Sequence, residues 1–312
     1  PTGSAVEGWT RPCATVWRRS IDRRCTLERW ASFIRVRTRM WSGAARRPQT
    51  CKGCWQPWSS SIPGMSEPQV LPELFWHPPL ALPPGVHLCQ TLRGGDGWGF
   101  NLATHVGAPA DAVARNRARL QSAQSGIQQI QWLAQVHGTQ VVKAPASARV
   151  EADALWTTHD GVACAVMTAD CLPVLFWSDD GTVVAAVHAG WRGLVAGVLE
   201  ATVSQLPLPP QRLSAWLGPR IGPSAFEVGP EVRAAFVAAD AGAAAAFKPS
   251  WRAGHHLADL AELARQRLTG LGIPHICDSG ACTVNDASRW FSFRREGRCG
   301  RMASLIWRTA VP

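Results

Sequence analysis

Residues 161–193 read GVACAVMTADCLPVLFWSDDGTVVAAVHAGWRG. Ala163 to Trp177 and Thr182 to Val187 are apolar and rich in strand formers, and the polar Ser178-Asp-Asp-Gly181 between them carries turn chemistry. Continuous apolarity without alternation marks strands covered on both faces, so the segment predicts a hairpin buried on both sides. Upstream, Ala110 to Ser125 sets apolar residues at helical spacing among Arg and Asn, and Ile127 to Val136 begins a strand-like run. Downstream, Gly193 to Leu206 predicts a helix, Leu213 to Leu217 a short strand and Pro230 to Ala246 an Ala-rich helix. Leu257 to Leu271 predicts another helix, stopped by Gly272-Ile-Pro274, and Met302 to Trp307 the last strand. Dense proline from Leu71 to Pro84 marks an extended lead-in. Strands and helices interspersed without a regular βαβ repeat predict an α/β (α+β) domain in which helices cover mixed sheets.

The chain has 312 residues, 46% of them hydrophobic, enough to bury a large core. Its formal charge of +10 is unevenly spread. Residues 1–64 hold twelve Arg and Lys against Glu7, Asp22 and Glu28, a net of +9, which leaves +1 for the remainder. The main body therefore gives no electrostatic reason to expect nucleic acid, whose phosphates need clustered cations. No apolar run approaches the roughly 20 residues that span a bilayer. Four of the ten cysteines lie in the basic leader, and the six that remain read as reduced cytoplasmic thiols available to a metal. The leader has no helical or strand period and no starting Met. It is expected to be either disordered peptide, such as translation assigned upstream of Met65, or an Arg-rich transit segment. Its Cys51-Lys-Gly-Cys54 pair lacks a second pair at zinc-finger spacing.

Three segments concentrate reactive side chains where strands should end: Gln135-Val-His137-Gly138, Thr168-Ala-Asp170-Cys171-Leu-Pro173 and Val187-His188-Ala-Gly190-Trp-Arg192-Gly193. Two histidines and a cysteine make a three-ligand set suited to zinc with the fourth position left open, the arrangement of a catalytic site. A buried, hydrogen-bonded His and an inert Cys are the plainer alternatives. Arg192, between Gly190 and Gly193 and four residues past His188, is a candidate anion binder at a helix start, or else a surface ion-pair partner. Asp170, next to Cys171, could move a proton, orient a ligand or make a structural hydrogen bond. Arg220, in Gly218-Pro-Arg220-Ile-Gly222, either binds an anion or closes the turn.

The strings QVHGTQVV, DALWTTHDGVACAVMTADCLPVLFW, AAVHAGWRGLVAGVL, WLGPRIGPSAFEVG and WFSFRREGRCGRMASLIW resemble the bacterial purine nucleoside phosphorylase family once called multicopper polyphenol oxidases or laccase-domain proteins. The resemblance runs from about Trp98 to Trp307 in several blocks. It implies a layered α/β/β/α sandwich in a single domain, 65–312, a fold also likened to the catalytic domain of cytotoxic necrotizing factor. It implies Zn2+ held by His137, Cys171 and His188. Asn101 and His105 match an early loop block near the substrate, and Cys282 and Arg294 belong to blocks that could line the cleft.

The activity so implied is phosphorolysis of adenosine, inosine, guanosine and S-methyl-5′-thioadenosine, with deamination of adenosine, in a cytoplasmic monomer or small homo-oligomer whose partners are purine nucleosides and phosphate. Against deamination, the HxE and PCxxC signature of zinc nucleobase deaminases is absent. The same resemblance offers a second activity, removal of misincorporated serine from a UDP-linked muropeptide precursor of peptidoglycan. An oxidase would need a copper cluster with HxH pairs, which the sequence lacks. A non-enzymatic alternative is nucleic-acid binding through the basic leader, salt-dependent and lost on its removal.

Overall fold

The computed structural model describes residues 73–147 and 150–311, all within one compact unit spanning 70–312. The basic leader and its cysteine pair lie outside the described residues. Strands β1 (Phe75–Trp76) and β2 (Val86–Thr91) precede helix α1 (Ala110–Ala123). The middle of the chain is nearly all strand: β3 (Gln129–Gln131), β4 (Leu133–Ala134), β5 (Val141–Lys143), β6 (Val150–Glu151), β7 (Ala154–Thr157), β8 (Val162–Thr168), β9 (Leu172–Ser178) and β10 (Val184–Ala189). Two short helices, α2 (Trp191–Ala196) and α3 (Val198–Gln205), lead to β11 (Leu213–Leu217) and β12 (Glu227–Val228). The remainder is α4 (Pro230–Ala239), β13 (Phe247–Pro249), β14 (His256–Ala258), α5 (Leu260–Gly270), β15 (His275–Asp278), α6 (Phe293–Glu296) and β16 (Met302–Arg308).

Two mixed sheets form the centre, one ordered β1-β2-β16-β8-β3 and the other β15-β11-β9-β10-β7-β5. Side-chain direction alternates along each strand, so the apolar residues of one strand feed two cores. On β9, Leu175 and Trp177 meet Leu88, Val166 and Ile306 of the opposite sheet. Leu172, Val174 and Phe176 face the other way, onto Leu194, Leu199, Phe236 and Leu263 of the helices. The outer face of the first sheet, through Ala163, Ala165, Met167 and Leu305, is covered by Leu120 of α1 and by Phe100 and Leu102 of the preceding loop. The layers are therefore α/β/β/α in a single domain, as expected. Each fully buried Leu, Val or Phe contributes roughly 1.5–3 kcal/mol.

The hairpin is present: β9 and β10 pair antiparallel with Trp177 opposite Val184. The long apolar run before it is not one strand, however. It breaks at Ala169-Asp170-Cys171, where Asp170 adopts φ 93°, and the two halves join different sheets. A left-handed residue cannot continue a strand, so the chain turns out of the first sheet and into the second. The expected helix over 193–206 begins earlier and is cut at Gly197, which takes φ 95° and ends α2. The expected Ala-rich helix stops at Asp240, whose carboxylate accepts the Gly242 N–H and starts a separate 3-10 turn over Ala241–Ala246. The strand-like run from Ile127 becomes β3 and β4, which sit in different sheets.

Candidate metal centre

The break at 169–171 builds one side of the site, because it leaves Cys171 at the start of β9. His188 lies on the neighbouring strand β10, opposite Pro173, so sulfur and imidazole share one strand end. His137 comes from the loop after β4, and is the second side-chain-bearing residue with positive φ, at 62°. Such backbone costs roughly 1–3 kcal/mol and persists where surrounding structure imposes it. Here the imposing group is Asp153, fully buried just before β7. Its carboxylate accepts the N–H groups of Val136 (3.2 Å), His137 (2.9 Å) and Gly138 (2.7 Å). It also accepts from His188 Nδ1 at 2.7 Å, which leaves Nε2 as the free ligand nitrogen.

The ligand atoms of His137, Cys171 and His188 all lie within 4.8 Å of one another, with Cys171 Sγ 3.9 Å from His137 Nε2. Gly190 leaves the space beside them: a Cβ there would stand 3.0 Å from Cys171 Sγ and 3.0 Å from His137 Cδ2. Burial alone would push the Cys171 thiol up, but the field of His188 and hydrogen bonds with both histidines bring it down to about 6. Burial likewise opposes charge on His188, yet the Cys171 thiolate and the Asp153 carboxylate lift it to about 9. Burial also works against ionised Asp153, and hydrogen bonds from His188 and from the amides of Gly138 and His137 hold it below the usual carboxylate range. The site is thus organised around a thiolate, as a nitrogen–sulfur set for a divalent cation requires, and His188 would release its extra proton when a cation binds. The residues fit a metal. His188 is buried, Cys171 half-buried and His137 exposed, so the set opens to one side.

That side is a cavity of about 400 Å³, whose wall includes the three ligands and, from the sequence expectations, His105, Asp170, Arg192 and Arg294. Asp170 is pinned: Oδ1 accepts from the Thr283 hydroxyl at 2.6 Å and Oδ2 from the Arg294 N–H at 2.7 Å. Arg192 lies over the Trp191 ring at 4.5 Å and has no carboxylate partner among the described residues. It is the second residue of α2, a helix of only six residues, so the cation rather than the helix dipole dominates there. The Arg294 guanidinium donates to the carbonyls of Ala225 and Glu227.

Asn101, Arg220 and Cys282 are not part of this wall. Asn101 is 1% exposed, and its Oδ1 accepts the N–H groups of Ala103 (3.0 Å) and Arg301 (2.8 Å), clamping two loops together. Arg220 is buried and bidentate to Asp278 at 2.7 and 2.9 Å. Cys282 Sγ accepts the Gly222 N–H at 3.2 Å. Sequence reasoning passed over Asp153, Arg301, Phe226 and Phe293, of which the last three line the cavity. All four sit inside the quoted motif blocks, Asp153 as the first residue of DALWTTHDG, a signal that was available.

Residues 91–309 match the family model described as multi-copper polyphenol oxidoreductase laccase. The chain belongs to this laccase-domain family. Among its relatives, the purine nucleoside phosphorylase PA4543 of Pseudomonas aeruginosa is 50% identical over 72% of this chain and 94% of its own length. The purine nucleoside phosphorylase YfiH of Escherichia coli is 49% identical over 72% of this chain and 95% of its own length. Among solved laccase-domain structures, Neisseria meningitidis protein NMB0706, described as DUF152, is 43% identical with a TM-score of 0.73, covering 76% of this chain and 99% of that one.

Proposed function

We propose that this chain catalyses zinc-dependent phosphorolysis of purine nucleosides (adenosine, inosine, guanosine and S-methyl-5′-thioadenosine) and also deaminates adenosine. The observation that carries the reading is a single cavity with a three-ligand metal set on one wall and unpaired arginines on another. The names of the relatives, purine nucleoside phosphorylases at about half identity over nearly their whole length, support the substrate class. The donor set supports zinc: His137, Cys171 and His188 match a four-coordinate nitrogen–sulfur site with one open position. Among the described residues no second ligand group exists to complete a copper cluster.

A zinc ion held by these three residues would supply Lewis acidity at the cavity wall. The chain's own side chains do the rest. Arg192 is the phosphate anchor, its guanidinium suited to a tetrahedral oxyanion. Phosphorolysis forms a bond from a phosphate oxygen to the ribose anomeric carbon and breaks the bond from that carbon to the purine nitrogen, whose electron pair leaves with the base and takes a proton. Asp170 is the one carboxylate on the cavity wall among the described residues and is our candidate to manage that proton. Phe226 and Phe293 offer apolar ring surface to the purine. His105 is held below its usual pKa by burial and by Arg301 and Arg117, so it is neutral at pH 7 and able to hydrogen-bond the substrate.

A cytoplasmic setting belongs to the proposal. Cys89, Cys164, Cys171, Cys282 and Cys299 are free thiols, and no helix among the described residues is long and apolar enough to cross a membrane. The test is metal analysis of the purified chain with assays of adenosine in the presence and absence of phosphate, beside Cys171→Ala. About one zinc per chain and phosphate-dependent release of adenine, both lost in Cys171→Ala, is the expected result. Zinc without turnover of any of these nucleosides would overturn the substrate assignment, and absence of zinc would overturn the mechanism.

A further inference from the structure

A second cavity of about 250 Å³ adjoins the first, sharing His105, Phe293 and Arg301 with it and adding Val106, Gly297, Arg298 and Cys299. Its charge is one-sided. Neither Arg298 nor Arg301 has a carboxylate within ion-pair distance among the described residues, and no Asp or Glu lines this cavity. Both guanidiniums are instead seated on backbone carbonyls. Arg298 donates to Val106 O at 3.1 Å through Nε and to Gly107 O at 3.3 Å through Nη2. Arg301 donates through Nη1 to Cys299 O at 2.8 Å and Gly300 O at 3.1 Å. Arg298 Nη1 and Arg301 Nε and Nη2 have no protein acceptor among the described residues. The seat has a specific shape, since a Cβ on Gly107 would lie 2.0 Å from Arg298 Nη2. Asn101 fixes the other half by holding the Arg301 N–H. The charge of Arg301 is felt nearby, where after burial it is the next cause that holds His105 below its usual pKa.

Carbonyl-seated arginines with spare donors and no acid partner match a phosphoryl group, which accepts several charge-assisted hydrogen bonds at once. We propose that the second cavity is a phosphoryl-binding site built on Arg298 and Arg301, separate from the anion position at Arg192. The phosphoryl group can arrive on the substrate, as the 5′-phosphate of a nucleotide whose nucleoside part occupies the larger cavity, or as free phosphate. The first source rests on the nucleoside reading of the larger cavity, and the second does not.

The test is calorimetric titration of the full chain with AMP, adenosine and inorganic phosphate, for the native protein and Arg298→Gln. Thermal melting checks that the variant is folded. Arg298→Lys serves as a second variant that keeps the charge but loses the planar fork seated on the two carbonyls. If the group arrives on a nucleotide, AMP binds at least about tenfold more tightly than adenosine, and both variants erase the difference while leaving adenosine affinity unchanged. If free phosphate is the ligand, AMP gains nothing over adenosine and phosphate binding weakens about tenfold in both variants. Either result supports the site. AMP no tighter than adenosine, together with phosphate binding that is the same in all three proteins, overturns it. Failure of adenosine alone to bind, with phosphate binding still sensitive to Arg298, counts against the nucleoside reading and not against this site.

Discussion

The two walls of the main cavity are built on opposite principles. On the metal wall every charged group has a partner: Asp153 holds three amides and His188, and His188 faces the Cys171 thiolate. On the arginine wall the guanidiniums of Arg192, Arg294 and Arg301 touch rings and carbonyls but no acid among the described residues. Buried charge without a partner is costly, whereas exposed guanidiniums stay hydrated at little cost. The metal wall therefore has to be assembled by the fold in advance, while the arginine wall can stay open until an anion arrives. Changes to the charged network of the first wall should disturb stability and metal together, and changes on the second should disturb only ligand binding.

The sharpest way to break this contrast is Asp153→Asn. An Asn cannot accept from three amides and an imidazole together, so metal affinity is expected to fall about 10–100-fold. The melting temperature is expected to fall as well, for a loss of about 3–5 kcal/mol. A variant that keeps full stability while losing metal would mean that Asp153 orients the ligand without holding the loop. Next is a paired arginine away from the cavity, Arg220. Burial pushes its partner Asp278 up, but Arg220 and then Arg265 prevail and hold it below the ordinary carboxylate value. A depressed pKa stabilises the fold above the unfolded value of about 3.9 and loses that contribution as pH falls through the folded value. Asp278→Asn should therefore cost about 3 kcal/mol at pH 7, with the gap from the native protein closing toward pH 3 in denaturant titrations.

Gly190→Ala gives a smaller and more local effect. The glycine has φ −62°, which alanine adopts freely, so the fold should be unchanged. The added methyl crowds Cys171 and His137, and zinc affinity in a competitive chelator assay should drop about tenfold. Arg192→Gln is the smallest change. Zinc content and melting should match the native chain, while KM for phosphate rises about tenfold or less. Loss of zinc in that variant would erase the distinction between the walls.

How much of this was legible in the sequence follows the same division. Helices covering buried sheet could be read because β9 and β10 are apolar on both faces, whereas the α/β/β/α order and the ligand set came with the family resemblance of the quoted blocks. The change of sheet at Asp170 was hidden by the same apolar continuity: strands covered on both sides show no alternation whose phase could reveal a break. Asp153 was passed over because its partners are distant in sequence, at 136–138 and 188, and locally it looks like the polar start of an apolar strand. Asn101 and Arg220 were noticed for the right property, a polar group in a tight loop. Which group each would bind depended on long-range neighbours at 301 and 278.

The crossing at 169–171 also makes metal occupancy a readout of folding. The three ligands come from the loop before β5, the start of β9 and the end of β10, so they converge only once β5, β7, β10 and β9 have assembled in one sheet. An ion that binds there recognises the finished fold and not the open chain. Each tenfold rise in its free concentration above the dissociation constant would then add about 1.4 kcal/mol to the unfolding free energy. The same molecule would tolerate heat or denaturant differently according to how much zinc its surroundings leave free.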